Sequence, residues 1–274
     1  MTSQSDKVEV FRTLHHEGCF VIPNPWNVGS ALNLEHIGFK ALATTSAGFA
    51  WSLGRSDQGV ERAEVLEHLR QIASAVEVPV SADFEGGYAS DPEGVAESVE
   101  LAAATGIAGL SIEDSTRGSD EPLYPFDLAV ERIRAARSAI DESRTDIVLT
   151  GRSEGFVVGR PDLDETIRRL QAYAKAGADC LYAPFIDTPE QVSAIVSAVA
   201  PMPVNLLVHK PFITVADAEA LGVRRISLGA SLARVAQAAF MAAAQEIADH
   251  GTFARLADLP NNAAVNEIFT RQRL

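Results

Sequence analysis

Four carboxylates lie on two short apolar segments: Asp83 and Glu85 in Asp83-Phe-Glu-Gly-Gly-Tyr, and Glu113 with Asp114 closing Leu110-Ser-Ile-Glu-Asp. Carboxylates brought that close raise one another's pKa unless a cation neutralises them. Oxygen donors of this kind suit a hard ion, Mg2+ or Mn2+, with part of its water shell retained. Zinc fits poorly, because no Cys or His falls at ligand spacing. The plainer reading, capping for Glu113 and Asp114 and solvation for Glu85, serves any one of them alone. Their joint position favours a metal site at Asp83, Glu85 and Glu113. Arg152, in Gly151-Arg-Ser-Glu154, is the cation expected beside them, and its planar fork would clamp a carboxylate or phosphate. Ser46, Ala47, Gly48 and Phe49 form a turn whose backbone N–H groups would nest an anion; an ordinary strand-to-loop turn is the alternative. Asn205 and His209 are candidate substrate contacts, His209 as acid or base or as a packed histidine.

Short apolar runs alternating with helical periods must position these residues. Strands are expected at Cys19–Pro23, Ala41–Ser46, Val80–Glu85, Gly109–Glu113, Ile147–Arg152, Cys180–Pro184, Val204–Val208 and Arg225–Leu228. Helices are expected at Val28–His36, Glu61–Val76, Pro92–Ala104, Asp127–Asp141, Leu163–Ala176, Pro189–Val199, Val215–Leu221 and Leu232–His250, with a further one at Ala263–Thr270. Gly38, Gly106, Gly177 and Gly222 each stand where a helix ends and a strand begins two or three residues on, a left-handed cap. Strands that are apolar throughout and alternate with helices imply a parallel sheet covered on both faces. Eight such units favour an α/β (β/α)8 TIM-type barrel of about 250 residues, with catalytic groups at the strand C-termini. No Gly-x-Gly-x-x-Gly follows the first strand, so a dinucleotide fold is disfavoured. One domain, 1–274, is expected, with the helices from about 232 to 274 exchanged between subunits.

The chain has 274 residues, 23 Lys and Arg against 37 Asp and Glu, and a formal net charge of −14. Such a balance repels phosphate, so neither nucleic acid nor an anionic membrane is an expected partner. The 2 cysteines, Cys19 and Cys180, sit in apolar runs and suggest no disulfide framework. Met1 to Glu9 is polar and lacks an apolar targeting core, which points to the cytoplasm.

In order and spacing, these residues resemble the isocitrate lyase/phosphoenolpyruvate mutase superfamily over about residues 20–240. Asn24-Pro-Trp-Asn-Val-Gly-Ser-Ala is similar to its opening element, Thr44-Thr-Ser-Ala-Gly-Phe-Ala to its carboxylate-binding turn, and Asp83-Phe-Glu-Gly-Gly-Tyr to its metal-binding Asp-x-Asp-x-Gly-Tyr. Ile112-Glu-Asp, Gly151-Arg-Ser and Gly222-Val-Arg-Arg-Ile-Ser-Leu-Gly match strands 4, 5 and 8. The resemblance implies a Mg2+-dependent lyase that cleaves a C–C bond of a small 2-oxo or 2-hydroxy carboxylate through an enolate. It implies that Asp83 binds the metal directly, Glu85 and Glu113 act through waters, Asp57 completes the acidic shell and Arg152 holds the substrate carboxylate, with Ser46, Gly48 and Phe49 donating from the turn. It also implies a homo-oligomer, a dimer of dimers. Three departures stand out. The lid Lys-Lys/Arg-Cys-Gly-His is replaced by Asp114-Ser-Thr-Arg-Gly-Ser-Asp-Glu-Pro-Leu-Tyr-Pro, strand 6 ends in Ala183-Pro-Phe without a glutamate, and Glu85 replaces an aspartate. Arg117 or Tyr124 in that lid would be placed to reach substrate or to lie on the surface. Phosphonopyruvate hydrolase or mutase chemistry, an oxaloacetate-type decarboxylase and a non-catalytic carboxylate-binding barrel remain open alternatives.

Overall fold

The eight apolar runs form eight parallel strands: β1 (Phe20–Ile22), β2 (Leu42–Ala43), β3 (Val80–Asp83), β4 (Gly109–Glu113), β5 (Val148–Arg152), β6 (Cys180–Tyr182), β7 (Val204–Leu207) and β8 (Arg225–Ser227). The computed structural model describes residues 2–116 and 120–270. The strand order is β1-β8-β7-β6-β5-β4-β3-β2. Between the two ends of that order, the Ala43 N–H donates to the Pro23 carbonyl at 3.1 Å. The sheet is therefore a nearly closed (β/α)8 barrel, as the alternation of the sequence predicts.

The helices are α1 (Gln4–Leu14), α2 (Val28–Ile37), α3 (Ser46–Ser52), α4 (Arg62–Ala75), α5 (Pro92–Ala103), α6 (Phe126–Ser143), α7 (Leu163–Lys175), α8 (Pro189–Val199), α9 (Val215–Ala220), α10 (Ser231–His250) and α11 (Asn262–Thr270). Side-chain caps start most of the outer ones. Asp91 and Thr188 each accept a backbone N–H of the first turn, with Pro92 and Pro189 in the first helical position. Where α2 ends, Gly38 has φ 103°, a conformation costly for any residue with a Cβ. At Gly177, φ 106°, a Cβ would also fall 2.5 Å from Arg137 Cγ.

Alternate strand residues point outward and fill the layer between barrel and helices. Leu42, Leu110, Leu149, Leu181 and Leu206 are fully buried against Leu69, Ile140, Leu170 and Ile195. Each such side chain contributes roughly 1.5–3 kcal/mol. Two α-helices lie outside the sequence expectation, α1 and α3. A reciprocal Ser3–Asp6 capping box starts α1. That helix closes the N-terminal end of the barrel: Phe11 is fully buried against Gly109, where a Cβ would come within 2.7 Å of its ring. Lys7 Nζ donates to the Ala73 and Val76 carbonyls at 2.8 and 2.6 Å, tying α1 to the end of α4.

The C-terminal segment behaves differently from the barrel helices. In α10 only Ala233 is buried, whereas Val235 and Phe240 are 65% and 66% exposed. Beyond it Phe253 and Leu259 are exposed too, and α11 returns to pack against α2. Among the described residues, no helix is long and apolar enough to cross a membrane.

Candidate active site

Strand parity decides which acids meet. Along β4 and β5, Ser111, Glu113, Thr150 and Arg152 face the barrel interior, while Ile112 and Leu149 pack outward. At the C-terminal end of the barrel, Arg152 Nη1 lies 3.1 Å from Asp83 Oδ1 and 3.2 Å from Glu113 Oε2. Its Nε donates to Glu154 Oε1. Asp83 uses its other oxygen to accept the Ser46 N–H at 3.0 Å and the Ser46 hydroxyl at 2.9 Å. One guanidinium thus gathers three carboxylates, two of them deeply buried.

Burial dominates the electrostatics. It pushes Glu113 up to about 8, with Arg152 opposing and Glu154 and Asp83 adding to the rise. Burial likewise raises Glu154, and Arg152 offsets this only in part. Burial alone would also favour loss of the Arg152 proton, but Glu154, Glu113 and Asp83 reverse that and hold it firmly charged. The Tyr182 ring lies 5.2 Å from the same guanidinium, and burial pushes its hydroxyl up to about 12.

Asp114, expected at the same mouth, points the other way. It accepts the Glu154 N–H at 2.7 Å, Arg169 Nη1 at 3.1 Å and the Tyr173 hydroxyl at 2.5 Å. Neighbouring residues at a strand end diverge to opposite faces, so Asp114 holds the β5 end to α7 while Glu113 faces Arg152. Glu85, 4% exposed, follows β3 with φ 50°, and its carbonyl accepts the Glu113 N–H at 3.0 Å. Of the lid candidates, Tyr124 is covered by Arg132, whose guanidinium carbon sits 3.8 Å above the ring. Arg117 lies outside the described residues.

A cavity of about 340 Å3 opens beside this cluster. Among the expected site residues, Ser46, Ala47, Asp57, Asp83, Arg152, Asn205 and His209 line it. Gly48 and Phe49 lie behind. The Gly48 N–H donates to the Thr45 hydroxyl at 3.3 Å, a cap on α3, and Phe49 stacks on His68 with ring centroids 3.7 Å apart. With the Ser46 and Gly48 N–H groups bound inside the protein, the turn serves chiefly to orient Asp83. At the rim, the His209 ring lies 4.7 Å from Phe185, and its Nδ1 is buried without a hydrogen-bond partner among the described residues. Burial and the nearby Lys210 lower its pKa, against Asp187.

Sequence reasoning missed two cations that also line the cavity, Arg225 and Arg234. A parity count through Arg225-Ile-Ser227, with Ile226 outward, was the available signal for Arg225. Two further histidines are buried: His15, 8% exposed, is bonded to Arg225, and His68, 6% exposed, lies beneath Phe49.

The donors around Asp83 are all hard oxygens, and three carboxylates share one guanidinium in a buried setting, where the upward push on Glu113 and Glu154 reflects the want of a second cation. That combination fits a divalent cation of the Mg2+ kind. Among the described residues, no three His, Cys, Asp or Glu side chains are grouped as a ready cage. An ion held here would therefore take few direct protein ligands.

Comparison with known proteins agrees with this geometry. The family model for phosphoenolpyruvate phosphomutase matches residues 11–248. A solved lyase/mutase-type protein of Burkholderia cenocepacia J2315 superposes with TM-score 0.94 and 43% identity over 97% of this chain and 96% of that one. Phosphonopyruvate hydrolase, solved with oxalate and Mg2+, superposes with TM-score 0.87 and 27% identity over 100% and 96% of the two chains. The 2-methylisocitrate lyase of Escherichia coli K12 is 32% identical over 57% of this chain and 54% of its own length. The chain belongs to the phosphoenolpyruvate mutase family, within the isocitrate lyase superfamily of lyases and mutases.

Proposed function

We propose that the chain is a Mg2+-dependent lyase that cleaves a C–C bond of a small 2-oxo or 2-hydroxy carboxylate. The observation that carries this reading is Arg152, seated among Asp83, Glu113 and Glu154 on the wall of a cavity large enough for such an acid. When bound, the metal supplies Lewis-acid stabilisation of negative charge on a substrate oxygen. Asp83 would hold it directly, with Glu85 and Glu113 acting through water.

The protein's own groups do the rest. Arg152 binds the substrate carboxylate by its fork and is kept charged by its three acidic neighbours, so the same contact also stabilises enolate charge. Ser46 fixes the Asp83 carboxylate by two hydrogen bonds, so the charge facing the cavity is oriented before substrate arrives. Trp51, Val157 and Phe185, themselves exposed, form the apolar part of the cavity wall. We infer also a cytoplasmic location and a homo-oligomer, the latter supported by the apolar surface of α10 and the segment after it.

The test is turnover by purified protein with Mg2+ on methylated malates, 2-methylisocitrate, oxaloacetate and phosphonopyruvate, with product identification. Cleavage of a C–C bond that requires Mg2+ and is lost in Asp83→Asn is the expected result. Conversion of phosphonopyruvate alone would move the enzyme to P–C chemistry, and simple CO2 loss from oxaloacetate would make it a decarboxylase. Tight binding of one acid with no turnover of any would leave a carboxylate-binding barrel instead.

A further inference from the structure

Below the acidic cluster, the floor of the cavity carries the opposite charge. Arg225 opens β8 inside the barrel and is 5% exposed, yet it lines the cavity. Its Nε donates to Asn205 Oδ1 at 2.8 Å and its Nη2 to the Thr150 hydroxyl at 3.0 Å. Its Nη1 lies 3.2 Å from His15 Nε2. His15 Nδ1 lies 2.7 Å from the Phe11 carbonyl, which can only accept. The tautomer follows: Nδ1 carries the proton and Nε2 accepts from Arg225. Burial, and then Arg225 itself, push His15 down to about 3, so this partner is neutral. Among the described residues, Arg225 makes no ion pair.

A guanidinium withdrawn from water and surrounded by neutral acceptors is costly to keep, and its electrostatic demand is met only by an anion. Among the described residues three of its five N–H groups are engaged, and two stay available. The cavity wall around it is small and polar, with Ser81, Ser111 and Ser227 lining the space, and Asn205 held by donating to the Ser227 hydroxyl at 2.9 Å. Layers inside such barrels are usually filled by branched aliphatic side chains. Here they give way to hydroxyls around a fixed cation.

We propose that Arg225, with Ser111, Asn205 and Ser227, forms a second anion subsite in the barrel floor, so that the substrate carries two anionic groups, one at Arg152 and a carboxylate at Arg225. The inference rests on the reading of this cavity as the substrate site and assigns the place of the second anionic group, a carboxylate at Arg225. It also places a recognition element below the reacting end, where the altered lid plays no part.

Calorimetric titration of the full-length chain in excess MgCl2 tests this with pairs of equal carbon number: malonate and propionate, succinate and butyrate, glutarate and pentanoate. At least one diacid is expected to bind at least about tenfold more tightly than its monoacid, the scale of one charge-assisted hydrogen bond. Arg225→Gln is expected to erase that preference while changing monoacid affinity less than about twofold, and Arg152→Gln to weaken both series. Should Arg225→Gln fail to fold, Ser111→Val narrows the approach to the guanidinium and leaves its network intact. Among the described residues the Ser111 hydroxyl makes only a 3.5 Å contact, to the Ala82 carbonyl, so little is lost, and the diacid preference should again disappear. No diacid preference in the wild type, or one that survives both variants, overturns the subsite. If Arg152→Gln leaves both series unchanged, the site reading itself fails.

Discussion

Lowering the pH should destabilise the fold through His15, by an amount that follows from its surroundings. Its folded pKa is depressed to about 3 by burial, then by Arg225, against 6.5 for the free side chain. The unfolded chain therefore binds the proton first. The stability contributed by neutral His15 is fully present above pH 6.5 and is lost as pH falls from there towards 3. Between pH 7.5 and 5.0 the unfolded state gains about one and a half pK units of protonation free energy, roughly 2 kcal/mol at 1.36 kcal/mol per unit. The raw pH dependence will not show this cleanly. His68, lowered to about 4 by burial, acts in the same sense, and Glu113, raised to about 8, in the opposite one. The useful quantity is the difference between the wild type and His15→Gln, which removes one titrating group and leaves the others. Urea denaturation at pH 7.5 and 5.0 should show the wild type losing roughly 2 kcal/mol more than the variant across that interval. Equal losses in both proteins would mean that His15 charges without penalty, and the neutral partner assigned to Arg225 would be wrong.

Other perturbations have definite expected outcomes. Gly109→Ala places a methyl 2.7 Å from the Phe11 ring and 2.9 Å from the Val148 carbonyl, and should cost roughly 1–3 kcal/mol by denaturant midpoint; an unchanged midpoint would show that α1 yields freely. Asp114→Ala strips Arg169, Tyr173 and the Glu154 N–H of a shared acceptor, and a loss of roughly 3–5 kcal/mol in equilibrium unfolding is expected. Arg152→Lys keeps the charge but not the fork, and should weaken oxalate binding by calorimetry at least about tenfold; full affinity in the lysine variant would argue against bidentate clamping. Light scattering should give a mass that is a multiple of the 29.2 kDa chain, and Phe240→Asp on the exposed side of α10 should reduce it; a monomeric wild type would contradict the oligomer.

The barrel was legible because its signals are local and repeated. Gly38, Gly106, Gly177 and Gly222 all adopt positive φ, and each observed strand falls inside the run expected for it. What escaped depended on longer-range facts. The polar surface of α1 hid a helix whose buried residues, Lys7, Val8 and Phe11, are few, although Ser3 and Asp6 already marked its start. Thr45 as a cap turned part of the expected anion turn into α3, which redirected the Ser46 N–H to Asp83 and the Gly48 N–H to Thr45. Glu113 and Asp114 were grouped by proximity in sequence, while parity separates them. A place at a strand end marks Arg152 in the sequence, whereas Arg225, at a strand start, owes its place in the cavity to depth in the barrel, which no local pattern carries.

That depth changes how the acidity of the chain bears on its chemistry. The −14 balance describes the whole molecule, but the cavity is polarised along the barrel axis. Asp83, Glu113 and Glu154 crowd its upper end around Arg152, and Arg225 stands below them without an acidic partner among the described residues. A monoanion at Arg152 would satisfy only the upper end and leave the lower guanidinium buried and uncompensated. A dianion that also reaches Arg225 relieves that cost, while a divalent ion at Asp83 absorbs the excess negative charge above. Substrate and metal binding should therefore reinforce each other, because each removes a repulsion the other would meet. In calorimetric titrations at fixed and zero Mg2+, the ion should tighten diacid binding more than monoacid binding, and Arg225→Gln should make the two gains equal. Equal gains in the wild type would show that the two ends of the cavity act independently.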